Sequence, residues 1–355
     1  MTIIKKYLNR IFVDSLSGMA LGLFCTLIIG TIIQQIGSLI EGNLGNIIIV
    51  IGKIAAASTC AGIGMGVAFK LKEDSLVAIS AAVCGMVGGF ATPILSNEIF
   101  SHTGTITLSG PGEPLGAFIA ALIGIEIGHI FSRRTKIDII LTPFITIIIG
   151  SFVGLSISPK ISSFMTWLGS IIMFATEQHP FIMGILVSVI MGMILTLPIS
   201  SAAIGVILNL NGITAGAAAV GCCCQMVGFA VASYKENKLG GLLAQGVGTS
   251  MLQIPNIIKN PVIWLPPIIS SAILGPISST FLKMSNTPTG AGMGSAGFVG
   301  QIMAFKAMNA TTEPKIAIIQ IIIMHFVFPA TLTILISKFM RNKNWIKDGD
   351  MALEL

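Results

Sequence analysis

The sequence predicts an all-α polytopic membrane protein of about ten transmembrane helices with two re-entrant hairpins. Three observations predict it. The 355 residues are 54% hydrophobic and only 10% charged, with a mean hydropathy of +0.92, where a soluble domain carries about 25% charge. The stretch Phe181 to Leu208, FIMGILVSVIMGMILTLPISSAAIGVIL, is long enough to cross a bilayer yet carries Pro198 followed by Ser200 and Ser201. The run Thr287 to Gln301, TPTGAGMGSAGFVGQ, places five glycines within fifteen residues, a poor helix and a good close-approach backbone. A proline removes a backbone donor and frees a carbonyl. In lipid that carbonyl needs a partner, so a helix broken at this depth belongs inside a bundle or beside a watery cavity. Broken helices and glycine-rich re-entrant segments are how transporters show backbone groups to a polar solute.

Apolar segments long enough to span run near residues 11–36, 46–69, 75–97, 114–132, 138–158, 162–177, 181–208, 212–233, 262–283 and 316–340. The segment 162–177 either crosses or lies flat. If it crosses, KLKED, RRTK, YKENK and the C-terminal RNKNWIK fall on the side of the N-terminus, as the positive-inside rule asks. Both ends are then cytoplasmic. Lys283, Lys306 and Lys315 sit on the outer side in this topology, which fits the rule less well. The net charge of +6 is scattered over short connections, from Lys5, Lys6 and Arg10 to Arg341, Lys343 and Lys347. It describes orientation, not a nucleic-acid surface.

The stretches 240–258 and 287–308 are rich in glycine and broken by proline. Each must return to the side it came from for the charges to agree, which makes it a re-entrant hairpin; tightly packed full spans with small residues at the crossings are the alternative. The whole chain, 1–355, reads as one membrane-embedded domain with halves 1–160 and 161–340 and a cytoplasmic tail 341–355. An internal echo, KLKEDSL at 70–76 against YKENKL at 234–239 and PISS at 198–201 against 276–279, is either a repeat or a chance match. A true repeat places the site where the halves meet. Asn97 to Glu113 reads as the longest external loop, and the first helix as a retained anchor.

Several classes are disfavoured. No phosphate-binding loop of the G-x-x-x-x-G-K-[ST] kind occurs, so the chain is no ATPase on its own. No metal-ligand spacing, triad or paired carboxylate site is visible, and neither a cofactor nor a catalytic residue is assigned. The cysteines, Cys25, Cys60, Cys84, Cys222, Cys223 and Cys224, lie in apolar segments; three in a row on a helix point in three directions and cannot share one tetrahedral metal.

Ionisable groups inside apolar spans are costly and therefore informative. Lys53, Glu126 and His129 qualify, with Asp14 and Glu41 flanking the first span and His325 within the last. An ion pair or snorkelling explains Lys53 and Glu126 as well as a coupling role does. Glu177 and His179, in TEQHP at the entrance of the broken helix, are either solute ligands or a helix-end cap. Gln225, Gln245, Gln253, Asn256 and Gln301 are neutral amides at membrane depth. Together with Pro198, Ser200, Ser201, Thr289, Gly292, Gly294 and Ser295 they suit an uncharged polyhydroxylated solute better than an ion.

MGMILTLPISSAAIG, AAAVGCCCQMVGFAV, GTSMLQIPNIIKNPVIWLPP and NTPTGAGMGSAGFVGQI resemble the membrane-embedded IIC subunits of the bacterial phosphotransferase system, in the stand-alone branch that also holds proteins described as toxin-gene regulators. The resemblance implies a sugar permease of the inner membrane, a homodimer, whose solute is phosphorylated at the cytoplasmic face by separate IIA and IIB proteins. The chain departs from the family in carrying no fused IIA or IIB domain and no clear G-I-T-E motif. TTEP, Thr311 to Pro314, is the nearest string and carries Glu313 over as a sugar contact. Two other functions stay open at this point: a membrane sensor or regulator with the same fold, and an ion-coupled secondary transporter using Lys53, Glu126 and His179.

Overall fold

The structure is a computed structural model that describes residues 9–99, 105–108, 110–134, 136–309 and 311–353. Lys5, Lys6 and part of the connection 97–113 lie outside these residues. Among the described residues the regular elements are all helices, and Gly212 and Asn286 form an isolated bridge pair. The chain divides into two compact units, Met1–Met165 and Thr166–Leu355.

In the first unit α1, Arg10–Ser38, is followed by α2, Asn43–Ala57, and α3, Thr59–Lys70, which meet at a 53° bend. Then come α4, Ser75–Gly89, the short α5, Ala91–Leu95, and α6, Pro114–Phe131. The helix α7, Asp138–Thr176, runs through the division between the units for 39 residues with Pro143 and Pro159 inside it. Small residues set the packing: a Cβ on Gly18 of α1 would lie 2.5 Å from the Gly66 carbonyl oxygen of α3, so the two backbones touch.

One end of this unit collects its charges. Arg10 pairs with Glu73 at 2.6 Å and Glu126 at 2.8 Å, His129 meets Glu73 at 2.9 Å, and Arg133 meets Asp74 at 2.8 Å. The Arg133 guanidinium holds the Asp74 carboxyl below its usual range. Glu126 is therefore the ion-paired group of the two readings the sequence left open. The start of α1, the 70–74 turn and the end of α6 share this end, as the charge pattern required.

The second unit contains α8, Pro180–Thr196, the short α9, Ser201–Ile207, α10, Gly212–Ala232, α11, Pro261–Phe281, α12, Val299–Met308, and α13, Pro314–Asn342. Short turns of helix fill 234–259, and a single turn at Pro288–Ala291 opens the glycine-rich run. The core helix is α10, 94% buried over its apolar window. Its Gly221 lets α8 and α11 close in, and Ser188 of α8 donates to the Ser271 carbonyl of α11 at 2.8 Å.

Among the described residues, six helices are long and apolar enough to cross a membrane: α1, α6, α7, α10, α11 and α13. The bent pair α2 and α3 would make a seventh, and α4 and α8 are shorter apolar helices. The count of ten rested on hydropathy, which does not see continuity. Segments 138–158 and 162–177 form one helix, so a separate element at 162–177 is absent. Segments 75–97 and 181–208 are each broken, at Phe90 and at Leu197–Ser200.

The tail folds back onto the second unit. Arg341 pairs with Glu236 at 2.7 Å and Asp348 at 3.2 Å, and Lys235 with Asp348 at 2.6 Å. Ile346 and Met351 are buried beside Phe229 and Ile263. Charge and apolar burial thus act at the same place. Met351→Ala is expected to cost about 2–5 kcal/mol of unit stability, the range for truncating a buried methionine, read as a lower melting temperature in detergent.

In the first unit Glu113 caps α6, accepting from the Gly116 N–H at 2.7 Å, while its Oε1 is buried without a partner among the described residues. Burial pushes this carboxyl up to about 7 against the backbone donors Gly116 and Leu115. An acid raised in the folded state keeps its proton there after the unfolded chain has lost it, so stability falls as pH rises through that interval. The melting temperature should decline as pH rises from the ordinary glutamate value of 4.5 to about 7, and Glu113→Gln should flatten the decline.

Candidate functional site

The candidate site lies in the second unit, where three interruptions of helix surround α10. The first is the end of α8. Pro198 cannot continue the helix; Leu197 turns extended, and the Ser200 hydroxyl caps α9 by accepting from the Ala203 N–H at 3.3 Å. The second is the junction at 248–250, where Thr249 is extended before a turn of helix at Ser250–Gln253. The third is the glycine-rich run 287–301.

A hydroxyl and amide cluster joins the first two breaks to α10. Thr196, the last residue of α8, shares a 2.8 Å hydrogen bond with Ser250. Gln225 Oε1 accepts from Trp264 Nε1 at 2.9 Å and from Thr196 Oγ1 at 3.3 Å. Gln225 Nε2 has no partner among the described residues, and Thr196, Gln225 and Ser250 are all fully buried. Two amide hydrogens therefore stand in an apolar interior with nothing to accept them. A buried donor left open is costly.

The glycine-rich run is pinned by two serines. Ser201 donates to the Gly292 carbonyl at 2.6 Å and Ser295 to the Gly246 carbonyl at 2.6 Å. Gly294 takes φ +52°, and a Cβ there would lie 2.8 Å from the Cys222 Cβ. Glycine is required at this position on both counts. Farther along, Gln301 Nε2 lies 3.4 Å from Cys223 Sγ and 3.2 Å from His325 Nδ1. His325 sits in a π-helical turn of α13, wholly buried.

The other predicted residues separate into groups. Gln253 and Asn256 are buried, but their amide hydrogens are already taken. Gln253 donates to Gln245 at 2.8 Å and to the Met351 carbonyl at 3.0 Å; Asn256 donates to Gln253 at 2.9 Å and to the Ala352 carbonyl at 2.8 Å. Both therefore hold the tail in this structure. Glu177 and His179 are exposed, and His179 Nδ1 accepts from the Phe181 N–H at 3.5 Å, the cap geometry at the start of α8. Thr289 and Glu313 are exposed, and Glu313 precedes α13 without capping it.

Thr196, Ser250 and Trp264 were not singled out in the sequence. Thr196 precedes Leu197 and Pro198 directly, so a hydroxyl at the last turn before a proline was the available signal. Nothing in the linear pattern pairs it with residues 54 and 68 positions away.

Residues 13–353 match the family described as Phosphotransferase system, EIIC. No curated protein matches the chain. A match over nearly the whole chain, on a helical body with several membrane-length apolar helices and breaks gathered round one buried helix, carries the assignment: this multi-pass membrane protein belongs to the phosphotransferase system EIIC family.

Proposed function

We propose that the chain is the permease subunit of a sugar phosphotransferase system and moves a small, polar, sugar-like solute across the inner membrane by alternating access. The observation that carries this reading is the open Gln225 amide beside Thr196 and Ser250. Hydroxyls and neutral amides both donate and accept, and so match a polyhydroxylated solute that does the same. Pro198, Ser200, Ser201, Gly292, Gly294 and Ser295 form the surrounding broken backbone, with Gln301 at its far end.

In this reading the segments 240–258 and 287–308 are the re-entrant hairpins and both termini are cytoplasmic. The short helical turns in both segments support it, since none is long enough to cross. The permease works as a homodimer and delivers its solute to separate IIA and IIB proteins, which carry out the phosphorylation. Glu177, His179, Thr289 and Glu313, all exposed, belong to the approaches rather than the centre. Against an ion-driven carrier stands the pairing of Glu126 with Arg10, which occupies one of the groups such coupling needs. A sensor with the same pocket differs only in lacking uptake.

The test is a thermal-shift screen of the detergent-purified protein against sugars, sugar alcohols, nucleobases and ascorbate, because a ligand that binds only the folded state raises its melting temperature. A sugar or sugar alcohol should stabilise the protein, and Ser250→Ala and Gln225→Leu should each weaken its binding about tenfold or more, about 1.4 kcal/mol. Equal affinity in both variants moves the site elsewhere. Uptake with IIB then separates carrier from sensor.

A further inference from the structure

The first unit holds a polar feature that the proposed carrier site does not use. Lys53 lies on α2, Asn43–Ala57, about 15 Å of helix from its start. Its neighbours Val50, Ile51 and Ile54 are exposed and apolar. Among the described residues Lys53 has no ion pair and no hydrogen bond; the acidic groups of this unit that are paired, Glu73, Asp74 and Glu126, are held by Arg10, His129 and Arg133. An ammonium that deep in an apolar helix is costly and marks a functional group by default. Its four-carbon stem lets it snorkel a few ångströms, less than the roughly 15 Å back to the start of α2.

The space in front of it is a cavity of about 450 Å³ lined by Lys53 with Leu27, Thr31, Gln34, Gly110 and Pro111 among others. Small-molecule sites run to about 300–1,000 Å³. Ala56 and Ala57, beside the 53° bend between α2 and α3, also line it, and Pro111 is held there by its carbonyl accepting from Cys60 Sγ at 3.0 Å. Thr31 Oγ1 gives its proton to the Leu27 carbonyl at 2.7 Å, so its oxygen remains an acceptor. Gln34 Nε2 donates to the Gly30 carbonyl at 3.3 Å, which leaves its Oε1 and one N–H. One cation, two acceptors and one donor therefore face a cavity with apolar walls.

We infer that this cavity binds a hydroxylated acid, with a carboxylate or phosphate group on Lys53 Nζ and hydroxyls on Thr31 and Gln34. Two sources share that chemistry. One is the glycerophosphate headgroup of an anionic lipid, whose chains would lie along the exposed apolar face of α2. The other is a soluble sugar acid or polyol phosphate.

The experiment uses the full chain in nanodiscs, made of phosphatidylcholine alone or with phosphatidylglycerol, and reads the melting temperature with and without gluconate or glycerol 3-phosphate. Lys53→Gln, Lys53→Arg and Gln34→Leu are compared with the parent. Stabilisation by a soluble acid in phosphatidylcholine discs, weakened about tenfold by Lys53→Gln and kept by Lys53→Arg, supports the site with a soluble ligand. Stabilisation by phosphatidylglycerol alone, with the same dependence on Lys53, supports it with a lipid. No shift in either disc, or a shift that all three variants retain, overturns it. Gln225→Leu should leave the Lys53-dependent shift in place, which keeps a failure here distinct from a failure of the carrier site.

Discussion

A backbone carbonyl or N–H inside an apolar span must find a partner within the protein, because lipid offers none. That constraint governs the second unit. Each break in a helix exposes such groups, and a side chain meets each break: Ser200 caps α9, Thr249 accepts from the Met251 N–H, and Ser201 and Ser295 pin the glycine-rich run. The hydroxyl residues that a soluble protein would put on its surface are here at the centre.

Close approach is the second half of the same arrangement. Small residues let α8, α10 and α11 touch backbone to backbone, so that Ser188 and Ser271 can reach carbonyls on neighbouring helices. Dispersion over such contacts replaces a hydrophobic driving force that lipid cannot supply. A rigid α10 results, buried almost all round, and it is this rigidity that holds the Gln225 amide in place with its donors open. The charged groups are excluded from that centre and collected at the helix ends, where Arg10 and Arg341 each bind two carboxylates.

The tail changes the meaning of several polar residues. Gln253, Asn256 and Asn237 present amides to the main chain of Met351 to Leu353, so Gln253 and Asn256, which look like solute ligands in the linear sequence, act as internal clamps. The same chemistry serves a polyol and a peptide backbone, since both offer alternating donors and acceptors.

The sequence by itself determined the membrane class, the break at Pro198 to Ser200, the glycine-rich run and the ends at which the charges of each unit gather. These follow from composition and from local rules, because proline and glycine act on the backbone wherever they stand. The family resemblance was legible too, through motifs that keep their spacing. Only the tertiary structure decided that 138–176 is one helix, that Thr196, Ser250 and Trp264 converge on Gln225, that Gln253 and Asn256 hold the tail, and that Lys53 faces a cavity. Each of these depends on which groups meet across tens of residues, and hydropathy, which sums a window, carries no information about partners.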